Sequence, residues 1–283
     1  MRKSKIELLV IEKLHMNNKE QQNIQSEKTL TEIFKYNAEA GASEYHVMIH
    51  STKPEDTYEE QLNAVLNTYD NLLAKELKGG VAVFKRYFLS DAANQADTLL
   101  ALTTEGSDCA LSIVEQPPLD GTKIALWVYL QTDIQTQVLH NGLFEVKHGA
   151  YRHLWAGSAF NRAANSEYQT RLLLNDYVMQ LMEQGCRLAD HCIRTWFFVQ
   201  NVDVNYAGVV KARNEVFVTQ NLTEKTHYIS STGIGGRHAD PKVLVQMDTY
   251  AIAGVKPEQI HFLYAPTHLN PTYEYAFSYT HLT

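Results

Sequence analysis

Arginine is the side chain with which this sequence could recognise a small anion, because its planar fork of N–H donors matches a carboxylate bidentately. Arg213 stands seven residues after Tyr206, two turns along one helical face, so a helix here would turn both toward one cleft, with the phenol supplying a hydroxyl. The same arginine would serve equally well paired to a neighbouring carboxylate or covering a subunit interface. Downstream, Ser231-Thr232-Gly233-Ile234-Gly235-Gly236 offers hydroxyls and backbone N–H groups. Its glycines either let the backbone approach an anion, as in a nest, or satisfy positive φ in a tight loop. The segment lacks the Lys of a phosphate-binding loop and runs into a strand pattern, which argues against a nucleotide site. Arg194 shares one side of a strand with Trp196 and Phe198, where it either reaches a pocket or is buried in an ion pair. Arg237 and His238 read as solvated neighbours of the glycine-rich segment.

Other reactive residue types assemble into nothing. His46 and His50 would share a strand face, but no third ligand accompanies them, so no metal site is expected. Asp190 and His191 are adjacent and therefore point apart, and no serine elbow is present. Cys109, Cys186 and Cys192 are odd in number and lack CxxC spacing, which excludes a zinc knuckle and a disulfide framework and fits a reducing cytoplasm. Cys192 reads as a packed core residue. No cofactor motif occurs.

A net charge of −7 and a pI near 5.9 argue against a broad phosphate-binding surface, so no nucleic-acid partner is expected and an anionic ligand needs a local cationic pocket. The apolar run at 6–14 is broken by Glu7, Glu12 and Lys13, too short and too charged to span a bilayer. No membrane partner is expected.

These side chains must be positioned by elements that the periodicity predicts. Residues 1–30 read as a polar tail, rich in Gln, Asn, Glu and Lys from Asn17 to Lys28. Leu62, Val65, Leu66, Tyr69, Leu72 and Leu73 form one helical stripe, followed by a strand over 81–89, a short helix over 91–100 and strands over 109–114 and 123–130. Strands at 145–147 and 153–156 open a second series. It continues with a helix from Gln169, a strand over 192–199, a helix over 205–219, the loop 230–236 and a strand over 243–252. A recurrence at roughly a hundred residues predicts duplicated α+β units, 31–140 and 141–256, each a mixed sheet with helices packed on one face, and not a solenoid.

The second unit resembles the RidA (YjgF) superfamily in the order Ala156-Gly157-Ser158, Gln169-Thr170, Gly185, Ile193 to Val199, Arg213-Asn214-Glu215-Val216-Phe217 and Ser231-Thr232-Gly233. Arg194-Thr195-Trp196, Asn205-Tyr206, Arg213-Asn214, the 231–236 segment and Gln116-Pro117-Pro118-Leu119-Asp120-Gly121 are similar to its chorismatase branch. The resemblance implies a chorismatase-like hydrolase, without cofactor, that releases pyruvate from the enol ether of chorismate and leaves a cyclohexadiene or hydroxybenzoate acid. Its ligand would be a small dicarboxylate held by Arg213, Tyr206, Arg194, Ser231, Thr232, Gly233, Gly235 and Gly236. A non-catalytic module that binds a small carboxylate is the alternative, and a RidA-type imine deaminase a further one.

Two departures bear on this. Where RidA deaminases hold the substrate carboxylate with an Arg before the Ser-Thr pair, Ser230 stands here, and their closing-strand Glu is replaced by Asp248. Residues 257–283 read as a linker and the opening of a truncated third unit, the unit that carries the catalytic carboxylic acid in chorismatases. The final residues from about Phe277 resemble a translated sequencing adapter. RidA proteins are trimers with sites between subunits, so fused units would form a pseudo-trimer, and two units alone would expose an apolar face and form a homo-oligomer.

Overall fold

The computed structural model describes residues 19–38, 42–103 and 109–261; the readings for 1–18 and for the C-terminal segment from 262 lie outside them. The first sheet holds β1 (Lys19–Gln25), β2 (Thr29–Asn37), β3 (Ser43–Ser51), β4 (Val81–Leu89), β5 (Ala110–Glu115) and β6 (Ile124–Gln131). The second holds β7 (Gln135–Val138), β8 (Phe144–His148), β9 (Tyr151–Phe160), β10 (Cys192–Val199), β11 (Ser230–Gly235) and β12 (Val245–Ala253). Their strand orders, β1-β2-β3-β6-β4-β5 and β7-β8-β9-β12-β10-β11, are one topology written twice. In each, only the last pair is parallel, β4 with β5 and β10 with β11.

Among the described residues five helices complete an α+β fold: α1 (Tyr58–Lys75), α2 (Ala92–Leu102), α3 (Ser166–Glu183), α4 (Leu188–His191) and α5 (Val202–Thr219). Among the described residues no helix is long and apolar enough to cross a membrane. The two long opening helices begin alike. The Thr57 side chain accepts from the Glu60 backbone, with the Glu60 carboxylate returning the bond in a capping box, and the Asn165 side chain accepts from the Tyr168 backbone. Four residues after each cap comes a buried glutamine in the same task. Gln61 donates to the carbonyls of Lys53 and Asp56 and accepts from Lys123 N–H, while Gln169 donates to those of Ala163 and Lys242 and accepts from Leu244 and Val245 N–H. Each amide thus ties its helix to the strand that closes its sheet, and leaves no buried polar end unsatisfied.

Three differences from the sequence reading stand out. Residues 19–25 are not a loose tail but an edge strand, paired antiparallel with β2 and almost wholly exposed. A polar segment needs only a neighbour's backbone to become a strand, and its composition says nothing of that neighbour. Residues 230–235 are a strand, in parallel register with β10. The second sheet begins at Gln135, ahead of the expected boundary.

Each sheet buries one face under its helices, with Leu62, Val65 and Leu126 in the first core and Leu174, Tyr177 and Phe197 in the second. A third core, Phe84, Tyr129, Phe144, Val146 and Trp155 among its members, lies where the helix-free faces of the two sheets meet. Here the guanidinium of Arg86, 6% exposed, sits between the rings of Phe84, Trp127, Trp196 and Phe198, each 5.0–5.3 Å from it. Arg86 of the first sheet donates twice to Oδ2 of Asp248 in the second, at 2.7 and 3.2 Å. The other carboxylate oxygen accepts from Ser158 N–H at 2.7 Å. Gly157 and Ser158 together face the single Asp248, a β-bulge, with Ser158 at φ 53°. Ser158 Oγ in turn accepts from Ile113 N–H of β5, and a Cβ on Gly157 would lie 2.3 Å from the Leu111 carbonyl oxygen. Glycine at 157 is what lets the backbone of β5 cross so close.

Two outcomes follow. Asp248→Asn keeps an acceptor for Ser158 but strands the Arg86 charge, so denaturant unfolding at neutral pH should show a loss of about 3–5 kcal/mol. Burial pushes the Cys192 thiol up to about 12 and raises that of Cys186, which keeps both as unreactive thiols. Iodoacetamide followed by mass spectrometry should label neither in the native protein and both in guanidinium; rapid native labelling of Cys192 would contradict its place in the core.

Candidate functional site

The residues singled out from the sequence fall on opposite faces of the second sheet. Tyr206 and Arg213 do share one face of α5, as their spacing requires, and that face lies against β11. The Tyr206 ring packs on Gly233, where a Cβ would come within 2.4 Å of it. Arg213, 1% exposed, donates to Ser231 Oγ at 3.4 Å and lies beside the Phe217 ring. Ser231 also accepts from Thr195 Oγ1 at 3.0 Å, and Thr195 is the register partner of Thr249. The result is a row of hydroxyls across three strands beneath the helices, with Arg213 at one end. Alternation sends Thr232 and Arg194 the other way, into the junction between the sheets.

The glycines likewise have a different task from the expected one. None of Gly233, Gly235 and Gly236 has positive φ. Gly233 makes room for Tyr206, and Gly236 for Phe198 and for Val114 of the first unit, where a Cβ would meet atoms at 2.9–3.1 Å. The 230–235 amides belong to a parallel ladder and form no nest. The first-unit loop named alongside them does meet them: Gln116 donates to the Gly235 carbonyl, and Glu115 and Arg237 exchange backbone hydrogen bonds. Arg237 also pairs with the Glu115 carboxylate at 3.7 Å, and His238 packs on Phe160.

In the junction, the Arg194 guanidinium lies 4.9 Å from the Trp196 ring and donates to Thr232 Oγ1 at 3.2 Å. Arg86 occupies the neighbourhood of the same indole. Burial first, and Arg86 second, lower the Arg194 pKa, the mark of a cation held out of water beside another cation. Arg86 is matched by Asp248. Arg194 forms no ion pair among the described residues, and its Nε is buried without a hydrogen-bond partner. A half-buried guanidinium in this state has donors to offer an anion, and Thr232 and the indole fix its orientation.

Arg86 and Trp127 escaped the sequence reading. The signal was there: Phe84, Arg86 and Phe88 alternate as Arg194, Trp196 and Phe198 do, an arginine among aromatics on one strand face. Asp248, which stands where RidA deaminases carry a closing-strand Glu, is fully buried in its contacts to Arg86 and Ser158. His46 stacks on Trp127 and Tyr129 and His50 lies 3.5 Å from Glu32, and among the described residues no group of three side chains could hold a metal ion. Asp190 and His191 diverge on α4, where Asp190 pairs with Arg187 and His191 Nδ1 accepts from the Arg187 backbone.

No protein-family model and no curated protein matches the sequence. Solved structures do. Chorismatase is similar over 81% of this chain and 79% of its own, with a TM-score of 0.54 at 10% identity. The E. coli TdcF with bound serine covers 38% of this chain with 85% of its own, at 15% identity and a TM-score of 0.33. A member of the YjgF protein family from Neisseria meningitidis covers 42% with 94% of its own, at 18% identity and a TM-score of 0.33. With two mixed sheets and five helices among the described residues, the chain has the fold of chorismatase.

Proposed function

We propose that the chain binds a small carboxylate of the chorismate class in the junction between its sheets, as part of a chorismatase-like enzyme that releases pyruvate from the enolpyruvyl ether. The observation that carries this reading is Arg194, a half-buried cation with an unanswered Nε–H, seated on an indole at the meeting of two sheets. An incoming carboxylate would accept from that Nε–H and from the terminal nitrogen that now reaches Thr232, exchanging a lone half-buried charge for a bidentate pair. The flat face of Trp196 suits an unsaturated ring, and Arg86 adds positive potential while remaining locked to Asp248.

In this reading the chain's residues bind and orient. Cleavage of an enol ether also needs a proton delivered to carbon and a water molecule that adds to the resulting cation, which is work for a carboxylic acid. In this reading that acid comes from outside the described residues. A module that binds the carboxylate without turning it over is the second reading, and the shared support for both is the same guanidinium. Arg213, sealed beneath α5, holds Ser231 in place and does not take part.

Titration with chorismate followed by tryptophan fluorescence, beside a coupled assay for pyruvate, separates these possibilities. Saturable quenching with pyruvate release supports the enzyme, and quenching without release supports the binding module. Absence of saturation sinks both. Arg194→Ala should weaken binding about 10- to 100-fold with little change in melting temperature, the worth of a charge-assisted pair. Arg213→Met should instead lower the melting temperature.

A further inference from the structure

The two units share a topology but not a roof. In the second, α5 runs for 18 residues, and its last turns lay Arg213, Val216 and Phe217 over β10 and β11. In the first, α2 runs for 11 residues and ends at Leu102. At the end of α2 a cavity of about 620 Å³ opens between α1, the start of β4 and the edge strand β7 of the second sheet.

Its lining has two characters. Lys85 and Asp70 both face it, and neither forms an ion pair among the described residues. Lys85 Nζ lies 4.8 Å from the Tyr69 ring, held there by a cation–π contact and not by a carboxylate. The Asp70 charge is felt at the buried Tyr87 hydroxyl, whose pKa burial raises first and neighbouring charges, Asp70 among them, raise further. Around these two charges stand Val81, Leu102 and Val138, exposed by 38%, 49% and 52%, three large apolar side chains in water at the mouth of one cavity. Exposed apolar groups gathered about a concave polar floor are the composition of a ligand site.

We propose that this cavity is a second binding site, for an α-amino acid with an apolar side chain. The carboxylate would lie on Lys85, the ammonium on Asp70, and the side chain between Leu102 and Val138. A zwitterion answers both charges at once, whereas a simple carboxylate would leave Asp70 opposed to it. The site uses none of the groups around Arg194 and stands independently of the function proposed above.

Calorimetric titration of the full chain with L-phenylalanine and with 3-phenylpropionate tests it. Phenylalanine should saturate, and phenylpropionate, identical but for the ammonium, should bind at least about tenfold more weakly. Lys85→Met and Asp70→Asn should each cost phenylalanine at least about tenfold, and Arg194→Ala nothing. Val138→Asp, an exposed change at the mouth, should weaken both ligands and serves as the readout should Lys85→Met melt early. The proposal is overturned if phenylalanine gives no saturable heat, if phenylpropionate binds as tightly, or if phenylalanine affinity survives in folded Lys85→Met or Asp70→Asn.

Discussion

A guanidinium in a dry, aromatic setting must be answered by a fixed negative charge, and the junction of this protein is arranged around that requirement. Arg86 comes from the first sheet and Asp248 from the second, so the two halves satisfy the charge only when apposed. The bulge at Gly157 and Ser158 exists opposite Asp248, and from it Ser158 reaches one way to the carboxylate and the other way to β5. The rings about Arg86 add dispersion and cation–π attraction, but four aromatics alone would accept many orientations. The ion pair selects one, and so fixes how the indole of Trp196 is presented to Arg194.

The repeated topology shows which features belong to the scaffold and which to specialisation. Gln61 and Gln169, with their capped helices, do the same work in both halves. The bulge opposite Asp248 has no equivalent between β3 and β6, which pair without interruption. The helix-side row Ser231, Thr195, Thr249 is matched in the first unit by Leu111, Lys85, Val128, so the hydroxyls give way to two apolar side chains flanking a lysine. Junction and roof have diverged while the strand order has not, as expected when packing sets the fold and sites are grafted onto it.

Much of the scaffold was legible from periodicity. Strands 81–89 and 192–199 match the sequence reading end to end, and the Leu62 stripe and the helix expected from Gln169 each bury one face. The polar strand β1 was not legible, because pairing with β2 is invisible to composition. The 230–235 segment was misread because glycine and hydroxyl residues suggest a loop, while its glycines answer the bulk of Tyr206 and Phe198 arriving from elsewhere in the chain. Spacing placed Tyr206 with Arg213 and Arg194 with Trp196 correctly, yet it could not say that the two pairs lie on opposite faces of one sheet. That depends on the parity of β11 against β10, a matter of register. Arg86 was hidden for a related reason: its partner is 162 residues away.

That separation also shapes how the chain is made. During synthesis the first sheet is complete long before Asp248 emerges, and domains generally fold in that order. Until β12 joins the second sheet, Arg86 faces solvent among Phe84 and Trp127, hydrated and at no electrostatic cost. Docking of the halves is therefore the step that removes water from the charge, and it is costly without a carboxylate in position. A second half folded with β12 out of register by one residue would turn Asp248 away from the guanidinium and leave its charge unanswered. The ion pair thus ties the drying of the junction to the correct register of both halves.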